Sequence, residues 1–210
     1  TASGGSDAWD PTKYVNVWLG NFTNPSSLGY ATFPIGSPEN LAGNQNIQGV
    51  VVLAQSVPGG TAAPFNKGRT LTHELGHFFW LRHINGDASC GNDFPTTPTL
   101  DDTPQQSSLT SGCPGQAPAV NTINSGCASA PNPPGRMFQN YMDYTDDACM
   151  NMFTAGQKTR MQALFVPGGA RESILTSTGC GGGGTPTCDV TSSTSTTGIT
   201  ETQATLNWSA

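Results

Sequence analysis

Charge is scarce in this chain. Only 10% of its 210 residues are Asp, Glu, Lys or Arg, and eight Lys and Arg against fourteen Asp and Glu leave a formal net charge of −6. Eight basic residues cannot build the broad positive surface that binding nucleic acid requires, so no such partner is expected. Long apolar runs are missing too. The longest, Val50-Val51-Val52-Leu53-Ala54, has strand length, and no stretch of 18 apolar residues exists to form a membrane span. No two cysteines have the CxxC spacing, which argues against a thiolate metal site. Thr1 opens no signal-peptide pattern, so any targeting segment has been removed or omitted. Histidine is scarcest in a way that matters: there are three.

What the chain has in abundance is Gly (26) and Pro (16), the composition of many turns and irregular loops rather than a helical bundle. Six cysteines in a lysine-poor, Ser/Thr/Gly-rich chain point to an oxidising compartment and disulfides. Tyr14 to Leu19 alternates and reads as a strand; Leu28 to Phe33 is a second, closed by Pro34. Gln48 to Gln55 is a third, whose continuous apolar centre predicts burial on both faces. A helix is expected from about Thr70, capped by Thr70 or Thr72, with Glu74 in its first turns and Leu71, Leu75, Phe78 and Phe79 as its apolar side. Residues 85–134 read as almost pure loop, a length that needs staples or a bound ion. Thr154 to about Phe165 is predicted as a last helix, capped by Thr154, with Met161, Leu164 and Phe165 facing the core. Ser173-Ile174-Leu175 makes one more turn.

The three histidines are not scattered. His73-Glu74-Leu75-Gly76-His77 is an HExxH pattern. Residues i and i+4 share a helix face, so both imidazoles can reach one metal ion. Imidazole nitrogen suits Zn²⁺, and Glu74 beside the first ligand can act on water without ligating. His83 follows His77 by six residues, enough for the chain to turn out of the helix and return a third ligand. Three protein ligands leave a fourth position open, the mark of a catalytic zinc site. A carboxylate third ligand such as Asp87 is the alternative to His83.

The run from His73 to His83 resembles the extended HExxHxxGxxH motif of the metzincins, and Phe138-Gln139-Asn140-Tyr141-Met142-Asp143-Tyr144 resembles the Met-turn of their pappalysin family. Similarity extends to Asp146 to Cys149, Met152 to Gln157, Asp7 to Trp9, Leu28 to Ala31 and Gly68 to Thr70, so it covers about residues 4–180. The resemblance implies an α+β, metzincin-type zincin. In it a small mixed sheet and the active-site helix sit above a loop-rich C-terminal subdomain with the Met-turn and a terminal helix. It implies a secreted, monomeric zinc metalloendopeptidase that hydrolyses internal peptide bonds of an extended protein or peptide substrate. Glu74 would be the general base, and Tyr144 would stabilise the oxyanion. His73, His77 and His83 would be the zinc ligands, with Met142 a non-ligating floor beneath them. Leu28 to Phe33 would be the edge strand that pairs with substrate.

Four further expectations join the resemblance to the composition. Spacing alone cannot choose the disulfide pairing; by resemblance it is Cys90–Cys127 and Cys113–Cys149, with Cys180–Cys188 closing the glycine linker. Asp87, Asp93, Asp101, Asp102 and Thr103 gather hard oxygen ligands where relatives bind Ca²⁺, although solvated acidic turns have the same composition. Asp146 and Asp147 lie where a specificity pocket is expected, or else cap and brace loops. Residues 1–180 would be the catalytic domain, lacking the N-terminal strands and backing helix of its relatives. Residues 181–187 would be a Gly-rich linker, and 188–210 the truncated start of a fibronectin type III-like domain or a disordered tail.

One departure stands out. The motif's glycine is Trp80 here. Either the turn is built differently, or a tryptophan sits where a left-handed backbone favours glycine. A non-catalytic protein-binding fragment with an adhesive tail is therefore the competing reading.

Overall fold

The β-branched run Val50 to Val52 forms the centre of the sheet, as its composition dictates. In the computed structural model, which describes residues 8–41, 43–91, 102–114, 126–127, 135–179, 194–197 and 205–208, this strand is β3 (Val50–Leu53). It pairs in parallel with β1 (Val17–Gly20) and antiparallel with β2 (Gly29–Ala31), giving the order β1-β3-β2. Val17 is in register with Val50, and Val50 with Ala31, so these three side chains share one face.

Helix α1 (Arg69–Phe78) lies across that face over β2 and β3. Ala31, Val50, Val52 and Phe78 are buried there, with Val15, Leu71, Leu75 and Phe79 packed around them. Val51 and Leu53 are only half-buried, which corrects the expectation of a strand covered on both faces. Val17 and Leu19 of β1, on the same face, stay exposed. At the far end of α1 the buried Arg171 donates from Nη2 to the Phe78 carbonyl (3.2 Å). Its guanidinium stacks 3.5 Å from the Phe78 ring centroid, so a cation covers the negative end of the helix.

Below the helix lies a second core of Leu81, Ile84 and Met142, surrounded by Leu109, Met137, Phe153 and Met161. Two very short strands, β4 (Ser111–Gly112) and β5 (Tyr144–Thr145), pair in parallel beside it. Helix α2 (Ala155–Ala163) begins at the predicted cap, Thr154, which the structure extends to a capping box with Gln157. The Thr154 hydroxyl accepts from Gln157 N (3.0 Å), and Gln157 Oε1 accepts from Thr154 N (2.9 Å). Helix α3 (Glu172–Leu175) is the predicted further turn.

The chain divides into two units, Thr1–Leu175 and Thr176–Ala210. In the second, β6 (Thr194–Thr197) and β7 (Thr205–Trp208) pair antiparallel, with Thr194 opposite Trp208. Cys180, Cys188 and the expected linker lie outside the described residues. Among the described residues no helix is long and apolar enough to cross a membrane.

Candidate active site

Helix α1 starts one residue earlier than its threonines suggest, and neither of them caps it. The N-cap is Gly68, whose φ of 83° is left-handed and whose lack of a side chain leaves the first N–H groups without a local acceptor. Asp147 supplies one from far along the chain: its Oδ2 accepts from Lys67 N (2.7 Å) and Arg69 N (3.2 Å). Asp147 is thus a buried brace, and Glu74 lies beyond the first turn.

His73 and His77 project from successive turns of α1, and His83 returns to meet them. His77 Nε2 lies 3.1 Å from His73 Nε2 and 3.2 Å from His83 Nε2. Each Nδ1 is already committed. That of His73 donates to the Tyr141 carbonyl (2.7 Å), that of His77 to the Leu81 carbonyl (2.7 Å), and that of His83 to Asp87 Oδ1. A neutral imidazole with Nδ1 protonated carries a lone pair on Nε2. Three lone pairs therefore converge with no proton to share among them, an arrangement that a cation satisfies. Burial, together with the neighbouring imidazoles, drives His73 well below the usual histidine range; burial and His83 bring His77 down to about 4. Both are then neutral donors. Among the described residues this is the one group of three side chains able to hold a metal ion.

The turn that returns His83 is a Schellman motif. Leu81 N donates to the Gly76 carbonyl (2.9 Å) and Trp80 N to the His77 carbonyl (2.8 Å). This geometry places Trp80 at the left-handed position, and its φ is 72°. The glycine's backbone conformation is kept without the glycine, at a cost of about 1–2 kcal/mol. Trp80 is gripped from two sides. Its indole Nε1 donates to Glu39 Oε2 (3.1 Å), its carbonyl accepts from Arg160 Nε (2.7 Å), and the Arg160 guanidinium stacks 4.1 Å from the ring centroid. Beyond the turn, Ile84 N donates to the Met142 carbonyl (3.0 Å), fixing the returning strand to the segment below.

That segment is held by Asn140, fully buried, whose Oδ1 accepts from Met142 N (2.9 Å) and Gln157 Nε2 (3.1 Å). Met142 is fully buried against α1; a Cβ built on Gly76 would stand 2.3 Å from its sulfur, so only glycine permits the approach. Tyr144 is half-exposed beside the triad, its ring centroid 4.9 Å from that of His83 and 5.6 Å from that of His73. The Glu74 carboxyl is buried under β2, where a Cβ on Gly29 would fall 2.4 Å from its Oε1. Burial pushes this carboxyl up to about 8. Among the described residues none donates a hydrogen bond to it. It can hold or release a proton near neutrality, as a general base must.

Residues 5–166 match the peptidase M43 family model, described as pregnancy-associated plasma protein-A. The chain is a pappalysin. An extracellular metalloprotease of Verticillium alfalfae is 42% identical over 144 residues, 66% of this chain and 45% of that protein. One from Pyricularia oryzae is 39% identical over 156 residues, 73% and 49% respectively. Among solved structures, mature mirolysin of Tannerella forsythia in complex with a cleaved peptide superimposes with a TM-score of 0.65. The two are 40% identical, and the match covers 81% of this chain and 59% of that one. The pappalysin chain spans about half the length of the curated relatives it matches. Its mixed sheet, helix and Met-turn have the α+β metzincin-like fold of mirolysin. The family implies zinc, and three imidazoles whose Nε2 atoms converge fit that ion.

Other residues singled out in the pappalysin sequence find varied places. Cys90–Cys127 and Cys113–Cys149 are bonded, with Cα atoms 5.6 and 5.7 Å apart; the first closes the long loop on itself and the second ties it to the region after the Met-turn. Among the described residues Asp87 stands outside the group that could hold a metal ion: its carboxylate meets His83 Nδ1, not the Nε2 that faces the other two imidazoles. Asp102 Oδ2 accepts from Gly156 N (2.9 Å) at the start of α2, and Thr103 is buried nearby in sequence. Asp93 and Asp101 lie outside the described residues. Asp146 is half-buried, its backbone N–H donating to the Gly112 carbonyl (2.9 Å). Sequence reasoning missed Glu39, and it missed Asp143, buried with its Oδ1 accepting from Thr110 N and Tyr144 N. An acidic residue within a strand-poor loop carries no periodic signal.

Proposed function

We propose that this chain is the catalytic part of a secreted zinc metalloendopeptidase. The observation that carries the reading is the meeting of three Nε2 lone pairs beside a buried carboxyl to which no described residue donates. Zinc held by His73, His77 and His83 would supply Lewis-acid polarisation of the scissile carbonyl and a water of lowered pKa. Glu74 takes a proton on its carboxylate from the attacking water and delivers it to the leaving amine nitrogen. The Tyr144 hydroxyl donates to the oxyanion as charge develops there. Met142 and Gly76 keep the floor of the site dry and tight.

The sheet offers a place for the substrate. Strand β2 is the outer strand, and its ladder to β3 runs through the Leu28 carbonyl (2.8 Å from Leu53 N) and Thr32 N (3.1 Å from the Gly49 carbonyl). Antiparallel alternation then turns the N–H and C=O of Gly29 and Ala31 to the open edge, ready for an extended peptide. The extracellular relatives and the peptide bound to mirolysin support this reading. Two disulfides support an oxidising compartment.

The test combines metal content with cleavage of casein. One zinc per chain, with turnover abolished by a chelator and restored by zinc, is the expected result. Zinc bound with no cleavage would favour the binding-fragment reading instead. Gly29→Ala tests the geometry around the base. The added Cβ displaces the Glu74 carboxyl, and kcat/KM is expected to fall at least about tenfold, since misplacing a catalytic group by about 1 Å costs up to 10²-fold. Zinc content should not change. Wild-type activity in the Gly29→Ala protein would show that Glu74 is not held where the backbone of β2 puts it.

A further inference from the structure

We propose that Glu39 and Arg160 are positioning residues for the third zinc ligand, holding Trp80 in the left-handed turn that brings His83 back to His73 and His77. The inference rests on the zinc reading above. Trp80 occupies the one position of the Schellman turn where a side chain is unwelcome, and φ there is 72°. A tryptophan can stay only if its surroundings over-determine it. Two of the three contacts that hold it are made to its indole. Glu39 comes from the loop between β2 and β3, and Arg160 from α2, 41 and 80 residues away in sequence. One takes the indole N–H; the other donates to the main-chain carbonyl and stacks on the ring.

Glu39 grips the turn a second time. Its Oε1 accepts from Arg82 Nε (2.8 Å) and Nη2 (2.5 Å), and Arg82 is the residue directly before His83. One carboxylate thus holds the chain on both sides of buried Leu81, while α2 holds it from the opposite direction. The grip ends at the residue before the ligand it serves. A glycine at position 80 would take this backbone conformation unaided. The contacts to Trp80 are thus needed because of the tryptophan, and their value depends on the tryptophan being there.

That dependence is measurable. Zinc affinity is read by competition with a chromophoric chelator in four full-length proteins: wild type, Glu39→Gln/Arg160→Met, Trp80→Gly, and the triple variant. The double variant is expected to lose at least about tenfold in zinc affinity, the lower end of what outer-shell partners of a metal ligand contribute. Trp80→Gly and the triple variant should both stay within about threefold of wild type, because glycine removes the strain the pair offsets. Thermal unfolding of the chelated proteins separates loss of the ligand turn from loss of the fold. A double variant that unfolds while the triple variant folds and binds zinc supports the proposal. Wild-type affinity in the double variant overturns it. So does a loss that recurs undiminished in the Trp80→Gly background, or a Trp80→Gly protein that no longer binds zinc. A wild-type chain that binds no zinc defeats the underlying reading, and this inference with it.

Discussion

Glu74→Gln is expected to lower kcat/KM for peptide cleavage by about 10²–10⁴-fold, the usual contribution of a positioned general base, with zinc content unchanged. Glutamine keeps the shape of the side chain, which matters because Gly29 leaves room for this carboxyl and little more. It removes only the ability to take a proton. Burial raises this carboxyl to about 8, which would suit it to that task, since a solvated carboxylate is a weaker base. Two measurements decide the matter together: turnover of a quenched peptide and metal content of the same sample. Loss of both would mean that Glu74 holds the histidines rather than acts on water. Full turnover would remove it from the mechanism.

The second large effect concerns Asp87. Asp87→Ala should weaken zinc binding by about 10- to 100-fold, the range measured when the outer partner of a ligating histidine is removed. The carboxylate accepts the Nδ1 proton of His83. It thereby fixes the tautomer that leaves Nε2 free, and it makes that nitrogen a stronger donor. His73 and His77 are oriented by backbone carbonyls, which no substitution can delete. His83 alone depends on a side chain, and is the ligand most exposed to mutation. Asp87→Asn retains an acceptor and the left-handed backbone (φ 59°) that asparagine tolerates, so its loss should be smaller. Chelator competition on the two variants reads the difference. Equal, wild-type affinities would show that the contact does not position the ligand.

The histidine site was legible because helix geometry makes it so. A spacing of four residues puts two imidazoles on one face whatever else the protein does, and six more residues suffice for a turn. The Thr154 cap of α2 was legible because its partner is local: the N–H it accepts from lies three residues on. Elsewhere the partners are distant, and pattern says nothing. Thr70 looks like a cap and is inside the helix, because Asp147 caps it from across the fold. Asp87 reads as a candidate third ligand, and only the direction of the His83 ring shows it instead as the partner of that imidazole. Trp80 looked like a broken motif. The backbone is the one the glycine would have had, and Glu39 and Arg160, invisible to any local reading, are what allow it. The exposure of Val17 and Leu19 on β1 also escapes prediction, since a VWLG strand carries no sign of which of its side chains will be covered.

The reach of Asp147 to the start of α1 has a consequence for how the molecule comes into being. A growing chain that has passed residue 83 already holds all three histidines, but Lys67 and Arg69 still lack their acceptor. His73 lacks the Tyr141 carbonyl that sets its tautomer, and Ile84 lacks its Met142 anchor. Every ligand has been synthesised and there is not yet a site. Only when residue 147 has left the ribosome can the helix start, the floor and the returning turn close upon one another. Synthesis of the three histidines and of the segments that orient them is thereby separated along a single polypeptide.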